Sequence, residues 1–244
     1  METIVSALGD QIMSILRQEI ARYDTSENQI NYQRFFKEPL DQPTGLKTPI
    51  LRKVFSSCYK QFRHCSGREI LDACDQLLAS KERYGRLMAF EWTSRIADDF
   101  KANDIRRFEF WLKNYVSNWA ACDGLCGPIG LFIMRFPRSV SRTFRWTQSK
   151  SRWFRRASAV SLIPALRKGL LFREALKTAD AVLLDKDDMV QKGYGWMLKE
   201  ASNVFPEEVF NFVNARKTRM PRTALRYAIE KLPANRRKLL MKRP

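Results

Sequence analysis

The segment Arg138 to Ala157, RSVSRTFRWTQSKSRWFRRA, carries the pattern that recurs along this chain. Arg138, Arg142 and Arg145 fall at i, i+4 and i+7, the spacing that lines up side chains on one face of an α-helix, with Val140 and Phe144 on the other side. Arg152 and Arg156 repeat the spacing on the next element, as do Lys192 and Lys199 and then Arg222 and Arg226 further on. From Arg138 to Arg173 there are ten Lys/Arg and no Asp or Glu. Successive helices that each present cations to one side form a trough suited to a phosphate backbone.

Working outward, helical periodicity continues along the whole chain. It predicts helices at 3–23, 27–36, 48–63, 67–79, 82–98, 103–116, 119–135, 138–147, 151–167, 170–183, 187–204, 206–215, 221–231 and 234–241. β-branched alternation and glycine-containing hairpin turns are scarce, so no strand is expected. Pro128 and Pro164 lie inside apolar helical patterns and are expected to kink or split them. Helix pairs spaced about 35 to 45 residues apart fit an all-α, HEAT-like repeat solenoid of antiparallel helix pairs with a concave basic face. A compact helical bundle is the alternative. The array is expected to be a single domain over residues 1–244, with 1–25 as a possible N-terminal cap and 235–244 as a basic C-terminal tail.

The 244 residues hold 44 Lys+Arg against 26 Asp+Glu, a net charge of +18, and 45 % hydrophobic residues, enough for a sizeable core. Residues 1–110 carry 17 basic and 16 acidic groups, whereas 111–244 carry 27 and 10. Asn214 to Pro244 alone holds eleven basic residues and one acid, Glu230. Such an imbalance points to a polyanionic partner, nucleic acid first and an anionic membrane surface second.

The rarer residues mainly exclude. With one histidine, His64, sites needing two histidine ligands are absent. Five cysteines (Cys58, Cys65, Cys74, Cys122, Cys126) without a CxxC pair fit reduced thiols in an intracellular protein, so neither a metal nor any other cofactor is expected. The N-terminus lacks a basic n-region, and the longest apolar run, Gly124 to Met134, is too short to span a bilayer. No obligate protein partner is evident, and an intracellular monomer is expected, cytoplasmic and nucleoid-associated if prokaryotic.

Asn118-Trp119-Ala120-Ala121-Cys122-Asp123-Gly124-Leu125-Cys126 is the segment richest in chemistry. Trp119 and Asp123 are four apart and share a helix face. Asp123 is the only acid between Glu109 and Glu174, in the most cationic part of the chain. Its simplest role is a salt bridge to a nearby arginine, as Trp119 and Trp196 are by default core aromatics and Arg156 a phosphate contact. Cys122 and Cys126 fit a core role.

Together these segments resemble the AlkD-like DNA alkylation repair glycosylases over about Asn31 to Pro233. Trp119 followed by Asp123 is similar to that family's Trp-x-x-x-Asp element. Trp153-Phe154-Arg155-Arg156-Ala157 resembles the helix whose arginine, here Arg156, faces the lesion. Val190-Gln191-Lys192-Gly193-Tyr194-Gly195-Trp196 resembles its Gln-Lys-x-x-Gly-Trp helix, and Gly45-Leu46-Lys47-Thr48-Pro49, preceded by Tyr32, is a weaker match. One position departs: the best-known members carry an acid directly after the motif tryptophan, where this chain has Ala120.

The resemblance implies a HEAT-like fold and excision of cationic N3- or N7-alkylated purines from double-stranded DNA, without a deep base pocket. It implies catalytic roles for Asp123, Trp119 and Trp196, and a DNA-facing Tyr32. The DNA-binding set is then Tyr32, Arg138, Arg142, Arg145, Arg152, Arg156, Lys192, Lys199, Arg222 and Arg226. An alkylated purine is already a good leaving group, so one carboxylate able to stabilise a sugar cation suffices, and no lysine in the Trp119–Asp123 segment suggests lyase chemistry. The alternative is a helical-repeat protein that grips damaged or bent duplex without cutting a bond.

Overall fold

Helix starts in this chain are fixed by short polar residues and prolines. Ser66 opens one helix with a reciprocal capping box to Glu69, Asn118 opens another by accepting from the Ala121 amide, and Pro49 and Pro206 sit in first turns where a missing N–H costs nothing. The computed structural model describes residues 2–40, 42–80 and 82–242, with side chains from residue 8 onward. Arg243 and Pro244 of the expected basic tail, and Met1 of the expected cap, lie outside the described residues.

The chain divides into two compact units, Met1–Asp99 and Phe100–Pro244. The first contains α1 (Glu2–Ala21), α2 (Thr48–Gln61), α3 (Gly67–Ala79) and α4 (Arg83–Arg95). α1 packs on the other three, and α3 packs on α4. Trp92 is fully buried among them and donates its indole N–H to the Phe55 carbonyl at 3.0 Å.

The helix expected at 27–36 does not form. Short 3-10 turns at Ser26–Asn28 and Gln33–Phe35 flank β1 (Gln29–Asn31), which pairs antiparallel with β2 (Thr44–Leu46), Gln29 opposite Leu46. The pairing is extended by Tyr32 N–H to the Pro43 carbonyl and Lys47 N–H to the Asn28 carbonyl. Strands of three residues are too short to display alternation, so the pattern that excluded strands could not detect them.

The second unit contains α5 (Asp104–Asn114), α6 (Trp119–Arg135), α7 (Val140–Arg145), α8 (Arg152–Val160), α9 (Ile163–Leu166), α10 (Phe172–Ala181), α11 (Asp188–Ala201), α12 (Pro206–Asn214), α13 (Arg222–Ala228) and α14 (Ala234–Met241). The packing steps from helix to helix: α5 on α6, α6 on α8 and α9, α8 on α11, and α11 on α13. Phe108 anchors the early part, edge-on to Phe100 at 5.3 Å and to Phe132 at 5.7 Å. The architecture is all-α with a helical-repeat arrangement. No helix among the described residues is long and apolar enough to cross a membrane.

The two internal prolines behave differently. Pro164 splits its pattern as expected, ending α8 at Val160 and opening α9. Pro128 does not: α6 runs unbroken from Trp119 to Arg135. The carbonyl that Pro128 leaves without a helical partner belongs to Gly124, which is exposed and has no side chain to crowd water away. The expected helix at 138–147 shrinks to six residues, with Thr143 and Trp146 buried. Phe144, on the side opposite the three arginines, is 41 % exposed.

Close approach sets the helix spacing. A Cβ placed on Gly130 of α6 would lie 2.5 Å from the Pro164 ring, and one on Gly195 of α11 would lie 2.7 Å from Tyr227 Cβ and 2.8 Å from the Ala224 carbonyl oxygen in α13. Helix propensity alone would make Gly195→Ala stabilising by about 1 kcal/mol. Because the opposing atoms include backbone, we expect destabilisation of about 1–3 kcal/mol instead, read as a lowered urea midpoint with unchanged slope.

Candidate active site and nucleic-acid interface

Asn118 caps α6 through its side chain, which accepts from Ala121 N–H at 3.0 Å and fixes where the helix begins. Trp119 is therefore the first helical residue and Asp123 sits one turn later on the same face. Cys122 and Cys126, the residues around Asp123 on this helix, are buried, and Cys122 Sγ donates to the Trp153 carbonyl of α8 at 3.5 Å. Burial, reinforced by Cys122, pushes the Cys126 thiol far up, so it stays protonated and serves the core.

Arg156 of α8 meets Asp123 with both arms of its fork. Its Nε donates to Asp123 Oδ1 and its Nη2 to Oδ2, each at 2.8 Å, and its Nη1 donates to the Met189 carbonyl of α11 at 2.5 Å. One guanidinium thus ties three helices together. Gly193 of α11 makes room for it, because a Cβ there would approach Arg156 Cγ to 3.0 Å. The arginine side chain is 6 % exposed and the aspartate 17 %, so the carboxylate keeps some access to solvent while its partner does not. Burial pushes the Asp123 carboxyl above the ordinary aspartate range, and the hydrogen bonds and charge of Arg156 oppose this without cancelling it.

Trp196 belongs to α11, three residues beyond Gly193. It is partly exposed, and its indole N–H donates to Glu200 Oε1 at 3.0 Å, not to the Asp123–Arg156 pair. Burial raises the Glu200 carboxyl, but hydrogen bonds from Arg167 and Trp196 and the charge of Arg167 outweigh it and hold Glu200 below the usual carboxylate range. Tyr32 lies in the first unit, where its hydroxyl donates to the Leu46 carbonyl at 2.7 Å and the Arg83 guanidinium sits 4.8 Å from its ring.

The cationic residues named from sequence fall into two groups. Arg142 is bidentate to Glu109, with Nε to Oε1 at 2.8 Å and Nη2 to Oε2 at 2.5 Å. Arg152 pairs with Asp187 at 3.4 Å, Lys192 with Asp188 at 3.2 Å and Lys199 with Glu230 at 2.7 Å. Arg222 donates to the Met241 carbonyl at 3.3 Å. Arg138, Arg145 and Arg226 are exposed and form no ion pair among the described residues. Arg226 lines a shallow cleft with Arg237 and Lys238 of α14. Residues 1–99 carry 14 basic and 14 acidic groups, so the entire +18 resides in the second unit, 30 against 12.

The sequence reading missed Glu109, Glu200 and Arg167. Glu200 had a local signal, lying four residues after Trp196 on one helix face, whereas Glu109 is 33 residues from Arg142 and had none. Among the described residues no group of three or more His, Cys, Asp or Glu is placed to hold a metal ion.

The profile of the DNA alkylation repair enzyme family matches residues 16–232. The chain belongs to that family. Its place there carries a role in the repair of alkylated DNA, with DNA as the substrate. A solved structure described as a predicted DNA alkylation repair enzyme from Enterococcus faecalis is similar in fold, with a TM-score of 0.68 at 15 % identity, covering 78 % of this chain and 88 % of that one. None of the curated proteins matches the chain. In this member of the DNA alkylation repair family, Trp119, Asp123, Arg156 and Trp196 all fall inside the matched region.

The Asp123–Arg156 contact predicts a specific stability pattern. Asp123→Ala leaves a buried guanidinium uncompensated and should cost about 3–5 kcal/mol. Adding Arg156→Met removes the orphaned charge, so the double variant should be more stable than Asp123→Ala alone in chemical denaturation.

Proposed function

We propose that the protein is a monofunctional DNA glycosylase that hydrolyses the N-glycosidic bond of cationic N3- or N7-alkylated purines in duplex DNA. The observation that carries this reading is the Asp123 carboxylate, fixed at both oxygens yet still 17 % exposed, one turn from Trp119. A base that already carries positive charge departs without protonation, which leaves a sugar with oxocarbenium character. A fixed carboxylate about 4 Å away, at an effective dielectric of about 20, interacts with that charge by roughly 4 kcal/mol. Arg156 offsets part of this. Its main contribution is orientation: it holds the carboxylate plane so that no reorganisation is needed when charge develops.

The indole faces of Trp119 and Trp196 supply attraction for a cationic nucleotide, roughly 0.5–2 kcal/mol each. No lysine occurs in α6, which supports release of the base to leave an abasic site without strand cleavage. Arg138, Arg145 and Arg226 are the cations best placed for phosphate contact, since their side chains are exposed and Arg145 reaches Glu109 through its charge alone. The paired residues contribute to the positive field as well, Arg142, Arg152 and Lys199 through links between separate elements and Lys192 through a pair within α11.

A second reading is favoured by one observation: both oxygens of Asp123 are occupied, as in a purely structural ion pair. On that reading the protein grips damaged duplex without catalysis.

The two separate in a base-release assay. Wild type should liberate 3-methyladenine or 7-methylguanine from methylated duplex, and Asp123→Asn should do so about 10²–10³-fold more slowly while still binding the DNA. Equal release by both would remove the carboxylate from the chemistry, and no release by wild type would favour the second reading. The ionised carboxylate is required, and its pKa is raised by burial. Base release should therefore fall as pH drops through a midpoint above the ordinary aspartate value of 3.8, a limb that Asp123→Asn should lack.

Phosphate contact has its own signature. Arg138→Ala and Arg226→Ala should each reduce the slope of log affinity against log salt by about 1, measured by fluorescence anisotropy with an undamaged duplex.

A further inference from the structure

Trp196 is held by a three-part clamp. Its indole N–H donates to Glu200 Oε1 at 3.0 Å, and the other oxygen of that carboxylate accepts from Arg167 Nε at 2.8 Å. Arg167 directly follows α9, so the clamp joins the end of one helix to the last turn of another. Glu200 is 13 % exposed and Arg167 56 %, which leaves the carboxylate shielded and its partner at the surface. A related arrangement occurs in the second unit, where Glu109 accepts from Trp146 Nε1 at 3.0 Å and from both arms of Arg142. The two differ in exposure. Trp146 is 5 % exposed, with no face to offer a ligand, whereas Trp196 is partly open to solvent.

An indole N–H bonded to an ionised carboxylate is polarised towards it, which adds electron density to the ring system. The attraction of a ring face for a cation grows with that density. The bond also restrains the ring, so the same face is presented each time. We infer that Glu200, held by Arg167, positions Trp196 and biases it towards positively charged nucleotides over neutral ones of the same shape. Glu200 acts through Trp196 and is a positioning residue. The inference rests on the proposed glycosylase reading to the extent that Trp196 faces the damaged nucleotide.

The test compares two duplexes that differ only in charge: one carries 7-methylguanine, the other its neutral counterpart in which N7 is replaced by carbon. Both are carried on 2′-fluoro sugars, which resist cleavage because fluorine disfavours an adjacent sugar cation. Wild type should bind the cationic duplex more tightly. Glu200→Gln keeps an acceptor for the indole but removes the charge. It should lower that preference roughly three- to fivefold through the cationic duplex alone, with neutral-duplex affinity unchanged. Glu200→Met, which removes the charge and the acceptor at similar size, should shift the preference the same way and carries the test should Glu200→Gln not fold. Trp196→Phe, which cannot donate to Glu200, should make Glu200→Gln without further effect. Equal losses on both duplexes, or an unaltered preference in the variants, would overturn the inference. Failure of the glycosylase reading shows separately, as absence of base release by wild type from ordinary methylated DNA.

Discussion

The contact between Asp123 and Arg156 ties three helices of the second unit to one another. A guanidinium with 6 % of its side chain exposed can be accommodated only if its charge is met by a carboxylate and its N–H groups by acceptors. The structure supplies Asp123 for two of those groups and the Met189 carbonyl for a third. Meeting those demands fixes the relation of α6, α8 and α11. Gly193 follows from the same requirement, since the arginine stem lies where a side chain of α11 would otherwise be. The feature that orients the proposed catalytic group is thus inseparable from the one that holds the helices, so stability and activity share a residue pair here.

Much of this was legible in the sequence. Most helices follow from apolar periodicity, although α7 is shorter than expected and one pattern divides into α8 and α9, and Asp123 drew attention because no other acid lies between Glu109 and Glu174. The salt bridge named as its simplest role is present, and the bidentate geometry now makes it part of the proposed mechanism. What the sequence did not disclose has physical reasons. Three-residue strands leave no alternation, and the Pro128 penalty depends on how exposed Gly124 is. The side of α7 that faces inward was decided by Thr143 and Trp146, with Glu109 drawing Arg142 partly inward, so Phe144 was left outside. Partners more than 30 residues apart carry no local pattern.

Those distant partners do carry a pattern of their own. Arg142–Glu109, Arg155–Asp185, Arg156–Asp123, Arg167–Glu200, Lys199–Glu230 and Arg216–Asp180 span 33, 30, 33, 33, 31 and 36 residues. The hydrophobic sequence repeat is faint, but the ion pairs mark a period slightly shorter than the 35 to 45 residues that helix spacing suggested. In a stacked array each element meets the next at a fixed offset, and charge pairing records that offset even where apolar positions have drifted.

The distribution of acids has a consequence for how this polypeptide behaves when its polyanion is withheld. Glu109, Asp123, Asp180, Asp185, Asp187, Asp188, Glu200, Glu207 and Glu230 are all engaged with arginine or lysine. Negative charge in this unit is therefore spent as internal mortar, and the surplus cations repel one another across the remaining surface. Anions that gather on that surface weaken the repulsion.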